Sequence, residues 1–296
     1  DFRDYRAIAV LTNAAVIARY RSELDETVDY LHRALARARR RENPFAKASV
    51  LRLLSSTLRS DEQYDAAIDR LEEAEELFDA IGDRRGQLIT YHEMGRCYDA
   101  KAQFERSEAY YEESIDLAAA IGEREYVAVS CLGRGRLYFR QGDYEAAEED
   151  LLESVIAIEN VSHTHLKLGA LLHLAATYAA LGRVTESSTY FERVEEIFES
   201  TDVEREKPLY DVLYGYFEAA KAKAAVGEGD DAAAEKLVSS AYQRTEPAEN
   251  GEVRGGLTLE TYGRNLRDFL DARVECGELT PPEDSDKPIL RVSREM

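Results

Sequence analysis

Cysteine is scarce in this 296-residue chain. Cys97, Cys131 and Cys276 are odd in number and widely spaced. They form neither a disulfide framework nor a metal-ligand pattern, which fits a reducing compartment and leads us to expect a cytoplasmic protein. Long apolar runs are missing too. No stretch approaches the roughly 18 to 20 uncharged residues of a membrane helix, and no signal-type segment opens the chain. Basic charge is in short supply, with 38 Lys and Arg against 59 Asp and Glu and a formal net charge of −21. That balance repels phosphate and argues against nucleic-acid and membrane partners. Catalytic signatures are likewise lacking: there is no G-x-x-x-x-G-K-[ST], H-E-x-x-H or G-x-S-x-G, so the expectation is a non-enzyme without cofactor or metal. Gly133-Arg134-Gly135 begins a glycine pattern but lies inside a helical stretch. His163 and His165 stand two apart in a turn with no Cys or third His near them, short of a metal set.

What the chain has is a repeat of 40 residues. Leu24, Tyr64, Phe104, Tyr144 and Val184 each open an acidic amphipathic segment. Three positions on stand the small Thr27, Ala67, Ser107, Ala147 and Ser187, and seven on the large Leu31, Leu71, Tyr111, Leu151 and Phe191. Six positions before each anchor come Ala18, Leu58, Tyr98, Tyr138 and Tyr178, and nine before come Ala15, Ser55, Gly95, Gly135 and Ala175. Small residues facing one another at helical spacing predict a pair of closely packed helices per repeat. Gly82, Gly122, Gly142 and Gly182 mark turns through left-handed helix caps.

Segments such as YHEMGRCYDAKAQFERSEAYYEESIDLAAAIG and CLGRGRLYFRQGDYEAAEEDLLESV resemble the tetratricopeptide repeats (TPRs), in their longer variety of about 40 residues. The resemblance covers five units over about 7–202. The first unit lacks the aromatic, and Arg134 fills a slot usually held by Leu, where it should pair with a buried acid. The resemblance implies an all-α fold, a right-handed superhelical solenoid of antiparallel helix pairs. A sixth, irregular pair is expected over about 208–242, a loop over 243–257, a capping helix over 258–276, and a linker with the start of a further element over 277–296.

In such a solenoid the first helices line a concave groove. Family geometry implies that the groove residues include Asn13, Arg19, Arg52, Arg59, His92, Arg96, Arg136, Phe139, Arg140 and His173. Six arginines there face only Glu93 and Asp99, reversing the balance of the whole chain. The expectation is an arginine-lined groove that forks onto carboxylates of a protein or peptide. The bland alternative has these arginines pairing with acids of neighbouring second helices and merely knitting the repeats together. Other functions consistent with a helical repeat are RNA binding, which the charge opposes, and structural oligomerisation through the solenoid ends. The chain begins Asp-Phe-Arg, and Pro288 to Met296 resembles the lead-in helix of GAF domains in bacterial regulators. Together these imply the sensory part of a larger signalling or transcription-control protein.

Overall fold

The computed structural model describes residues 2–21, 23–159, 163–201, 203, 206–245, 252–253 and 257–279. The resemblance to a GAF lead-in at 288–296 and most of the proposed linker fall outside them. Contacts divide the chain into two compact units, one reaching to Leu174 and including 252–257, the other holding the remainder.

The first unit contains α1 (Phe2–Tyr20), α2 (Leu24–Arg40), α3 (Pro44–Ser60), α4 (Tyr64–Ile81), α5 (Arg84–Ala100), α6 (Phe104–Ile121), α7 (Arg124–Gln141), α8 (Tyr144–Ala157) and most of α9 (Thr164–Ala180). The second holds the end of α9, then α10 (Val184–Ser200), α11 (Lys207–Glu228), α12 (Asp231–Gln243) and α13 (Leu259–Glu275). A two-residue strand pair, Glu252–Val253 with Leu257–Thr258, precedes α13. The fold is thus an all-α solenoid of antiparallel helix pairs. No helix among the described residues is long and apolar enough to cross a membrane.

Each of the five repeat anchors is the first residue of a second helix, from Leu24 of α2 to Val184 of α10. The turns follow a stricter rule than the forty-residue repeat alone requires. A left-handed residue recurs at intervals of twenty, at Glu42, Glu62, Gly82, Ala102, Gly122 and Gly142, and again forty on at Gly182, with φ between 48° and 80°. Turns within a pair and turns between pairs therefore reverse the chain by the same device. The next residue caps the following helix, and at Asn43, Asp83 and Asp143 its side chain accepts from a first-turn backbone N–H at 3.0 to 3.2 Å.

The small residues permit the close approach, and two of them also bond across it. Ser107 Oγ donates to the carbonyl of Gly95, and Ser187 Oγ to that of Ala175, both at 2.8 Å. A second tier lies two turns further along the second helices. There Ser114 donates to Leu88 O at 2.9 Å and Ser154 to Ala128 O at 2.8 Å, in equivalent positions forty residues apart. Large partners fill the space between: Leu31, Leu71, Tyr111, Leu151 and Phe191 are all buried. Tyr111 lies between two first helices. A Cβ on Gly95 would meet its ring at 2.9 Å and one on Gly133 at 2.6 Å, which explains the glycines there without any nucleotide.

In the second unit α13 packs on α11, where a Cβ on Gly215 would come within 2.4 Å of Leu266 and Tyr216 meets Phe269 at 4.6 Å. Arg244, just past α12, is held by Glu218 and Asp211 of α11 at 2.8 and 3.2 Å.

Candidate functional site

In the first unit the first helices form a row, α1 touching α3, α3 touching α5, and α5 touching α7. Asn13 is exposed on α1, and Arg19 Nη1 donates to Ser56 Oγ on α3 at 3.0 Å. Arg52 is half-buried, with no hydrogen bond or ion pair among the described residues.

The remaining charges interlock along the row. Glu93 of α5 takes Arg96 from its own helix at 3.2 Å and Arg59 from α3 at 3.7 Å. Asp99 of α5 takes Arg140 from α7, with both side chains at least nine-tenths buried. These acids belong to first helices, not to the second helices that the knitting alternative named. Arg134 does turn to a second helix, where it grips buried Asp150 of α8 through two bonds of 2.7 and 2.8 Å. Phe139 and His173 meet edge to face at 6.1 Å and are almost fully buried, so they support the wall from beneath.

Burial opposes ionisation of Glu93, but Arg96 and Arg59 outweigh it and hold the carboxyl down at about 2. Burial raises Asp99 despite Arg140 and Arg136. Arg59 is lowered by burial and by neighbouring Arg96, and its Nε lies buried without a hydrogen bond. Burial, with Arg96 and Arg59 adding to it, pushes His92 down to about 4; burial and Arg136 push His173 to about 3. Both imidazoles are neutral at neutral pH. Burial also pushes the Cys97 thiol up to about 12 and the Cys131 thiol up, leaving both unreactive.

A cavity of about 310 Å³ opens on this row. His92, Arg96, Asp99 and Arg136, groove positions expected from the repeat register, line it together with Val129 and Leu132. Sequence reasoning missed Tyr111, Gly133, Glu125, His163, His165 and Leu166, which complete the wall. His163 and His165 come from the segment read as a turn short of a metal set and Leu166 from the first turn of α9, and His163 Nε2 stands 3.3 Å from Glu125 Oε1. No group of three His, Cys, Asp or Glu side chains among the described residues is placed to hold a metal ion.

Along α3, α5 and α7 five guanidinium groups (Arg52, Arg59, Arg96, Arg136, Arg140) face three carboxylates (Glu93, Asp99, Glu125). The row keeps a positive excess within a chain of net charge −21. Helix pairs of this length, packed small residue to small residue, define a TPR protein. The MalT-like TPR region matches residues 8–257, and the chain belongs to that family. No curated protein is significantly similar in sequence.

Among solved structures, a Rap protein complexed with Competence and Sporulation Factor is similar with a TM-score of 0.64 at 12% identity, over 92% of this chain and 76% of that one. The apo form of the quorum sensor NprR from B. thuringiensis follows at 0.60 and 18%, over 90% and 76%. BtubC from P. vanneervenii gives 0.54 and 18%, over 68% and 92%. At such identities the likeness is one of fold.

Proposed function

We propose that this chain is a non-catalytic binding module that takes an acidic or carboxylate-bearing segment of a protein or peptide against the arginines of its first helices. Its setting on this reading is the regulatory region of a larger bacterial signalling or transcription-control protein. The observation that carries the reading is the positive excess of the first-helix row in a chain of net charge −21, with Arg96 and Arg136 of that row lining its cavity. Guanidinium groups fork onto carboxylates with two parallel bonds, which gives both affinity and orientation. Two similar folds support it by their descriptions, the Rap protein with Competence and Sporulation Factor and NprR with its cognate peptide NprX.

The test is fluorescence anisotropy with labelled octapeptides of acidic, neutral and basic composition. The acidic peptide should bind and the basic one should not. Arg52→Glu and Arg136→Glu should each weaken binding at least about tenfold, the scale of a lost charge-assisted hydrogen bond. Arg140 is unsuited to this test, because a glutamate there would face buried Asp99 and damage the fold. Equal binding of acidic and basic peptides would refute the proposal.

A further inference from the structure

Beneath the cavity runs a chain of buried hydroxyls whose proton directions follow from chemistry. Ser114 Oγ lies 2.9 Å from Leu88 O, and a carbonyl only accepts, so the Ser114 proton is committed there. Ser130 Oγ lies 2.9 Å from Ser114 Oγ, and Ser114 has no second proton to offer. Ser130 must therefore donate to Ser114. His92 Nδ1 lies 3.1 Å from Ser130 Oγ, whose only proton is now spent, so Nδ1 carries the hydrogen and donates. Both serines are fully buried, so no water rescues another arrangement. A neutral imidazole protonated on Nδ1 has a bare lone pair on Nε2. His92 is itself more than nine-tenths buried, lines the cavity, and has no described protein group bonded to Nε2.

Arg96 follows His92 by one helical turn on α5, which puts the two on one face with their Cβ atoms about 5 to 6 Å apart. A donor-rich guanidinium and an acceptor that cannot donate thus share one small space. From this geometry we infer that the cavity recognises a carboxylate bearing an N–H or O–H donor beside it, the carboxylate on Arg96 and Arg136 and the donor on His92 Nε2. The inference rests on the proposed carboxylate-binding role and adds the second half of the ligand. A bare anion satisfies the arginines and leaves Nε2 unmet. A neutral donor satisfies His92 alone. The chemistry has three sources: an acidic side chain with the backbone N–H near it, the terminal carboxylate of a peptide with its own amide, or a free amino or hydroxy acid.

The experiment is NMR of the wild-type protein with nitrogen-15 in its imidazoles, titrated with small probes. In the free protein His92 should show the Nδ1–H tautomer. N-acetylglycine, with a carboxylate and an adjacent N–H, should shift the Nε2 resonance. N-acetyl-N-methylglycine, which keeps the carboxylate and loses the donor, should bind about tenfold more weakly and leave Nε2 unmoved. Two Gly-Ser octapeptides separate the sources, one amidated with a single internal Glu, the other without Glu and with a free terminal carboxylate. A shift from either identifies a peptide source, and a shift from N-acetylglycine alone identifies a small acid. An Nε2–H tautomer in the free protein, or equal responses to both acetylated glycines, would overturn the inference. Binding of acidic octapeptides with Nε2 unmoved overturns it while leaving the broader role standing. No response to any carboxylate probe overturns both.

Discussion

His92 shows how one buried side chain ties stability to pH. It ionises at about 4 in the fold against 6.5 as an ordinary imidazole, so between those values the unfolded chain binds the extra proton and the folded one does not. Stability is thus retained above pH 6.5 and falls as pH drops toward 4, by roughly 3 kcal/mol from this group. His92→Gln removes the titration, so its denaturation midpoint, followed by circular dichroism, should depend less on pH between 6.5 and 4 than that of the wild type. Arg140 makes a second prediction at this scale. Arg140→Ala leaves Asp99 buried and unpaired and should cost about 3 to 5 kcal/mol in urea unfolding. The register of the repeat placed both residues on the first-helix wall. What it left hidden was their partners, because Ser130 lies 38 residues and Asp99 41 residues away, separations no local pattern reveals.

At the scale of elements, the starts of the second helices were legible because an apolar anchor recurs there every forty residues without insertion, three positions ahead of a small residue that is buried. The turns were half legible. Glycine marked those at 82, 122, 142 and 182, whereas Glu42, Glu62 and Ala102 adopt the same left-handed backbone with nothing in their side chains to announce it. A non-glycine residue there carries about 1 kcal/mol of strain. Ala102→Gly and Glu62→Gly should therefore each raise stability by up to about 1 kcal/mol, less the entropy glycine adds to the unfolded chain. Gly142→Ala, in open space with φ of 80°, should lower it by a similar amount. Thermal melts of the three variants check the rule, and a destabilised Ala102→Gly would contradict it. Gly133→Ala is a separate case, since its Cβ would strike the buried Tyr111 ring at 2.6 Å. A loss of about 1 to 3 kcal/mol is expected from such overpacking. The cavity itself was only partly readable, because His163, His165 and Leu166 enter it from beyond a turn and Tyr111 from a second helix.

For the whole molecule the governing fact is contrast of charge. A chain at −21 repels an acidic ligand at long range, while a few half-buried arginines attract it at contact. Added salt screens the long-range repulsion within about a Debye length and reaches the buried contacts much less. The central claim, that the arginines of the first-helix row bind carboxylates, is tested most directly by the affinity of the acidic octapeptide for wild type and for Arg136→Glu, measured side by side at two salt concentrations. The account predicts specific binding that survives the higher salt in the wild type and falls at least about tenfold in the variant, with helical content unchanged. Equal affinity of the two proteins would contradict it.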